Sequence, residues 1–279
     1  MKIFLTGATG MPGQDLLRTL RESGHECLGV SPADLDLLDV DAVRSSIGTF
    51  GPDAIIHILP YTDAVRAETQ PEVCMTCNGI TTLNVARAAR SMQARLMLIS
   101  NSHVFSSTEE PVPANALRCP SSVLGQSCLQ AEEAVCSLSS RYFIVRTSWL
   151  FGTGGEHYVD RVRALGRTAS QLPAACDVKA SPTCAADLAR LIDDMIVTTR
   201  YGIYHAANEG SCTPAELAQA VLRADGGRCR VIPVSADAAS PAAERPHGVC
   251  LNMDSLDAAG FRRLPIWEDA LRRYLAVNL

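Results

Sequence analysis

Three glycines spaced three residues apart, directly behind an apolar run, constrain this chain more than any other feature. Lys2-Ile-Phe-Leu-Thr has the character of a buried strand and passes without a break into Gly7-Ala-Thr-Gly10-Met11-Pro12-Gly13. From Gln14 to Glu22 the apolar spacing turns helical, and Ser23-Gly24 supplies a suitable C-cap. A strand that turns sharply into a helix needs a residue free to take positive φ, which is the work of the first glycine. The second lets backbone approach a pyrophosphate, and the third lets helix and strand pack closely. The helix start then directs unsatisfied N–H groups and a positive dipole end at the same point. The spacing therefore predicts a doubly wound α/β fold with a dinucleotide cleft, and a glycine-rich turn without a ligand is the plainer alternative.

The rest of the N-terminal half keeps this rhythm. Cys27–Val30 is expected as the second strand, 41–50 as a short helix and 53–59 as a buried strand. Beyond the second strand an acidic residue would favour NAD and an arginine NADP, but Ser31 stands there and leaves the choice open. Asp39 is placed either at the adenine edge or as a helix N-cap. A helix is expected over 71–90, carrying Cys74-Met-Thr-Cys77, the one CxxC; with no second pair to complete a zinc site, these thiols read as structural. All eleven cysteines read as small buried hydrophobes of a reducing compartment.

A net charge of −5, without any block of basic residues, argues against a nucleic-acid partner and for a small ligand. No apolar run approaches the ~18 residues a membrane helix requires, and the first glycine comes too early for a signal peptide. A cytoplasmic protein without membrane contact is expected.

From residue 52 onward the chain resembles the dTDP-4-dehydrorhamnose reductase branch of the extended short-chain dehydrogenase/reductases. Pro52-Asp-Ala-Ile-Ile-His57-Ile-Leu59-Pro-Tyr61-Thr62, with Ala67-Glu68 and Asn78 behind it, is similar to that family's PDvVInaAAYTaVDkAE stretch and following asparagine. Ser100 to Phe105 resembles its IStDYVF strand end, and Arg146-Thr-Ser-Trp149-Leu-Phe-Gly152 its RtsWvyG. Asp177, Ser181-Pro182-Thr183, Ala186-Asp187-Leu188, Gly202-Ile-Tyr204-His205 and Arg245-Pro246 follow in the family's order. The resemblance spans nearly the whole chain and implies a Rossmann-type sheet over residues 1–150, with 182–205 returning to it. The remainder of 151–279, including helices over 213–224 and 267–277, would form a smaller substrate-binding lobe, with Ile232-Pro233 and the Ala-rich 235–243 between those helices expected as mobile loop.

NADP or NAD is the implied cofactor, at Gly7, Gly10, Met11, Pro12, Gly13, Asp39, Leu59, Asn78 and Ser100. A nucleotide sugar is the implied second ligand, at His103, Trp149 and Arg245. A homodimer or a regulatory partner protein is a further expected association. Asn78 would orient the active-site backbone or else be solvated; Trp149 would meet the sugar or else sit in the core. His57 and His205, inside apolar strands, are expected as satisfied core or rim histidines.

The resemblance fails where proton transfer is needed. Such reductases protonate the nascent alkoxide with a Tyr, assisted by a Lys four residues later, while a Ser or Thr polarises the carbonyl. Gly125, Ser127, Leu129 and Glu132 fix the frame of the family's YGxSKLxGE, which leaves Leu124 in the Tyr place and Cys128 in the Lys place. Asn101 takes the Thr place. Lysine occurs only at positions 2 and 179, so no shifted Tyr-x-x-x-Lys exists. Val65 and Val178 depart from the family on the substrate side, where it has Asp and Gln. Cys128 or His103 is the remaining candidate for a repurposed acid. The sequence thus predicts a dinucleotide-binding relative with impaired catalysis. The alternatives are a working NADPH-dependent reductase of a 4-keto-6-deoxy nucleotide sugar, and an enzyme using the nicotinamide for epimerisation or dehydration.

Overall fold

The computed structural model describes residues 1–106, 108, 110–226, 229–239 and 248–277. Its main sheet contains β1 (Lys2–Thr6), β2 (Glu26–Val30), β3 (Ala54–Ile58), β4 (Arg95–Asn101), β5 (Tyr142–Thr147) and the strand Gly202–His205. They lie in the order β2-β1-β3-β4-β5 followed by Gly202–His205, and every pairing is parallel. Parallel strands need both faces covered, which is why β3 reads Ala-Ile-Ile-His-Ile and is buried throughout. Helix α1 (Gly13–Glu22) packs with the Ala185–Ile196 helix on one face, while α2 (Val40–Phe50), Thr81–Ser91 and Val123–Leu138 cover the other. The chain leaves β1 in opposite directions for β2 and β3, which opens a crevice at their carboxyl ends.

A second apolar core, built on Phe151, Val162, Leu217, Val221, Trp267 and Leu271, joins the helices Tyr158–Thr168, Pro214–Ala224 and Trp267–Val277. The Gln171–Ala175 and Arg230–Val234 strands pair in parallel beside it. Thr213 is the cap of the Pro214–Ala224 helix rather than its first residue: its hydroxyl accepts from Glu216 N–H, and the Glu216 carboxylate accepts from Thr213 N–H.

Two expectations need adjusting. The helix over 71–90 is interrupted, because Pro71–Met75 and Thr81–Ser91 are joined by a π turn at Thr76–Ile80. The stretch read as loop is not wholly so: Ile232-Pro233 lie in the Arg230–Val234 strand, Ala236–Ala239 form a helical turn, and 240–243 lie outside the described residues. Among the described residues no helix is long and apolar enough to cross a membrane.

Candidate functional site

The turn after β1 has the form its glycines predict. Gly7 has φ +74°, a conformation that penalises any side chain. A Cβ on Gly13 would come 2.0 Å from the Gly7 carbonyl oxygen and 2.9 Å from Ala8 Cα, so only glycine allows α1 to start this close to the strand. Gly10 differs. Its φ is ordinary, and a Cβ there would meet nothing nearer than the Gly7 oxygen at 3.8 Å. The protein's own packing therefore has no need of glycine at position 10, and the space in front of it suits the close backbone approach of a pyrophosphate. Pro12 precedes α1 with no side-chain cap on the helix start, which leaves the N-terminal dipole available to an anion.

Two further contacts fix this turn. Ala8 N–H donates to the Val30 carbonyl at 3.2 Å, so the loop lies against the end of β2. From the other side, Asp15 is buried in the first turn of α1 and accepts from Thr153 N–H at 3.0 Å. A Cβ on Gly154 would overlap the Gln14 side chain at 2.6 Å, so the 152–155 loop leans directly on the start of α1.

The histidines in the strands are structural. His57 is fully buried on β3, with Nδ1 2.7 Å from Thr6 Oγ1 and Nε2 3.0 Å from Thr82 Oγ1, which links β1, β3 and the Thr81–Ser91 helix. Burial holds its pKa down at about 4. His205 is equally buried, edge-on to Phe105, with Nε2 3.3 Å from Arg146 Nη1. Burial first, and the Arg146 charge second, hold it at about 3.

Asn78 is fully buried within the π turn, not solvated. Its Oδ1 accepts from Tyr61 N–H at 3.0 Å, and its Nδ2 donates to the Tyr61 carbonyl at 3.0 Å and to Ser127 Oγ at 2.8 Å. The side chain thereby clamps the backbone just beyond β3 to the Val123–Leu138 helix. Cys74 is buried beside it, its thiol donating to Ser127 Oγ at 3.3 Å, while Cys77 is half-buried.

The region where the reductase motif has its Tyr and Lys is well packed. Leu124 is 1% exposed and Cys128 is fully buried. Burial, and then the neighbouring Glu132 carboxylate, push the Cys128 thiol far above its ordinary range, so it is a poor proton donor. A Cβ on Gly125 would lie 2.2 Å from the His103 carbonyl oxygen, which shows how tightly this helix abuts the end of β4. Asn101 is the cap of the short Ser102–Val104 turn, its Oδ1 accepting from His103 N–H at 2.7 Å. His103 is half-buried on that turn.

Beneath these positions lies a buried ionic group. Arg146 donates through Nε and Nη2 to Glu132 Oε1 and Oε2 at 2.8 and 2.7 Å, and Arg118 reaches Oε2 at 3.3 Å. Ser100 Oγ donates to Glu132 Oε1 at 2.8 Å. The hydroxyl of Ser100 is thus committed to the helix side, and backbone is what this residue offers the cleft.

Asp39 is the cap of α2, accepting from Asp41 N–H and Ala42 N–H at 3.0 and 2.9 Å. Leu59 is buried behind β3, and Met11 and Pro12 lie on the glycine turn. Trp149 follows β5 with φ +39°, unusual for a bulky residue, and packs partly buried against the second core. Arg245 lies outside the described residues. Sequence reasoning gives no role to three groups at the carboxyl ends of β3 and β5: the Tyr61, Thr147 and Ser148 hydroxyls. All are buried with no hydrogen-bond partner among the described residues. Only their positions inside the motifs could have marked them, because an unpaired hydroxyl is a property of packing.

Comparison with known proteins gives this geometry its family. The model for the RmlD substrate binding domain matches residues 1–279. The chain belongs to this family. A dTDP-4-dehydrorhamnose reductase of Streptomyces griseus is 32% identical over 276 residues, covering 96% of this chain and 91% of the relative. The spore coat polysaccharide biosynthesis protein SpsK of Bacillus subtilis is 28% identical over 275 residues, 98% and 96% of the two chains. A crystal structure of dTDP-4-dehydrorhamnose reductase from Bacillus anthracis in complex with NADP has a TM-score of 0.95 at 31% identity, covering 100% of this chain and 99% of the other. The fold is the Rossmann-type doubly wound sheet of that family.

Proposed function

We propose that this member of the RmlD family binds a nicotinamide dinucleotide, and a nucleotide sugar beside it, without efficient reduction, and serves in a binding or regulatory role in the cytoplasm. The dinucleotide would lie over Gly7, Gly10 and Gly13 at the start of α1, where Gly10 leaves room that the protein does not use. The nicotinamide end would extend toward Leu59, the backbone clamped by Asn78, and Ser100. The sugar would lie between His103 and Trp149, with Arg245 closing from the other lobe and the Tyr61, Thr147 and Ser148 hydroxyls available as partners. In this reading residues 1–150, with 182–205, carry the nucleotide, and the rest of 151–279 closes over the sugar.

The observation that carries the reading is the packing at 124 and 128. An apolar side chain and a buried, raised-pKa thiol occupy the positions of the phenol and the ammonium, and Asn101 replaces the hydroxyl. Loss of a positioned acid costs roughly 10²–10⁴ in rate, and groups that act as a unit fail together. The test is purified protein with NADPH or NADH and a dTDP-4-keto-6-deoxy sugar, followed by nicotinamide absorbance and by calorimetry. Saturable binding without turnover is expected, and turnover at ordinary enzyme rates would overturn the reading.

A second reading, an active NADPH-dependent reductase of a 4-keto-6-deoxy nucleotide sugar, is favoured by the reductases among its relatives, which match along nearly the whole chain. His103, on the turn packed against Gly125, is then the residue to supply the proton. Loss of turnover in His103→Ala with cofactor affinity unchanged would identify it.

A further inference from the structure

The adenosine end of the cleft decides which dinucleotide fits. Ala8 of the glycine turn is hydrogen-bonded to Val30 at the end of β2, so the segment that follows Val30 borders the place where the adenosine ribose of a ligand on that turn would lie. That segment, Ser31-Pro-Ala-Asp34-Leu-Asp36-Leu-Leu-Asp39-Val-Asp41, carries four carboxylates and no lysine or arginine. Ser31 N–H and Oγ both donate to Asp34 Oδ2, at 2.8 and 2.6 Å. These bonds fold the exposed Asp34 back to the strand end and hold its carboxylate below the usual range. Asp36 Oδ1 accepts from Leu38 N–H, and Asp39 caps α2, so the other acids are held in the same turn.

The arginines of α1 and α2 have other partners. Arg44 on α2 pairs with Asp41 at 3.6 Å, Arg18 pairs with the buried Asp15 at 2.6 Å, and Arg21 donates to the Cys27 carbonyl at the far end of β2. A ribose 2′-phosphate would bring close to two negative charges to this acidic edge, whose own residues 31–41 include no guanidinium or ammonium to receive them. A free 2′-hydroxyl is a donor and suits a carboxylate. We infer that this chain discriminates in favour of NAD(H) over NADP(H), with Asp34 as the specificity-determining residue at the adenosine ribose. This rests on the dinucleotide reading above, and it sets the chain apart from its relative crystallised with NADP.

The experiment is a calorimetric or fluorescence titration of the full chain with NADH and NADPH at low and high salt. NADH is expected to bind at least about tenfold more tightly, roughly 1.4 kcal/mol, and the gap to narrow as salt screens the phosphate. Asp34→Asn keeps an acceptor for Ser31 and removes the charge; it is expected to lower the NADH:NADPH affinity ratio several-fold, with thermal melting checking the fold. Arg44→Ala should leave NADPH affinity unchanged. NADPH binding as tightly as NADH, a ratio unmoved in a folded Asp34→Asn, or weakened NADPH binding in Arg44→Ala would overturn the inference and leave the dinucleotide reading intact. Absence of binding by both nucleotides would overturn both together.

Discussion

The turn after β1 and the helix start after β4 lie along the same edge of one sheet and have diverged in opposite ways. At the first, Gly7 and Gly13 are kept by backbone geometry and packing, and Gly10 is spare to the fold yet still glycine. At the second, the packing is as tight, with Gly125 against the His103 carbonyl, but the side chains at 101, 124 and 128 are not the Thr, Tyr and Lys of the reductase motif. Shape is kept in both places and residue identity in one. An outline made by backbone can thus outlast a change of the side chains set upon it.

The most demanding way to break this contrast is to install the motif's Tyr and Lys. Leu124→Tyr combined with Cys128→Lys is expected to raise nicotinamide-dependent reduction of a dTDP-4-keto-6-deoxy sugar by roughly 10²–10⁴ over the parent, with neither single change sufficient. Stopped absorbance assays on variants shown by calorimetry to bind cofactor are the check. No gain would mean that the sugar side has changed too, as Val65 and Val178 suggest.

The buried ion pair beneath the site tests whether scaffold and chemistry are separate. Glu132→Ala leaves the Arg146 guanidinium buried without its carboxylate and is expected to cost about 3–5 kcal/mol in denaturant unfolding. A stability loss below 1 kcal/mol would show that Arg146 finds water there.

Acid should act on the histidine that ties the glycine-turn strand to its neighbour. His57 titrates at about 4 in the fold and near 6.5 when unfolded, so the unfolded chain binds the extra proton first as pH falls. Its contribution is complete above pH 6.5, falls between 6.5 and 4, and amounts to about 3 kcal/mol across that window. A His57→Gln variant whose stability has the same pH slope as the parent would remove His57 as the cause.

The smallest effects separate two of the glycines. Gly13→Ala is expected to destabilise the fold by about 1–3 kcal/mol, from overpacking against the Gly7 carbonyl. Gly10→Ala should leave the melting temperature within a degree or two (about 0.5 kcal/mol) and weaken dinucleotide binding alone. Equal losses of stability in both would erase the distinction drawn here.

Much of this was legible from residue order because it depends on local rules. The strand-turn-helix beginning follows from glycine spacing and β3 from an unbroken apolar run. The absence of a Tyr-x-x-x-Lys was equally legible, since lysines can be counted. What stayed hidden needs distant segments to meet. The π turn that seats Asn78 exists because that amide clamps Tyr61 and Ser127, 17 and 49 residues away. The commitment of Ser100 to Glu132 and the unpaired hydroxyls at 61, 147 and 148 depend on packing in the same way. Asp39 could be read two ways because an N-cap and a ligand-facing acid use the same residue type at the same place; its bonds to Asp41 and Ala42 establish the first role.

The contact between Asp15 and Thr153 couples two parts of the chain that sequence keeps 138 residues apart. On the dinucleotide reading proposed above, the helix that would meet the phosphates is therefore held from the second half of the chain as well as from β1. A change in the 152–155 loop would then reach the start of α1 directly, through one hydrogen bond and one close side-chain contact.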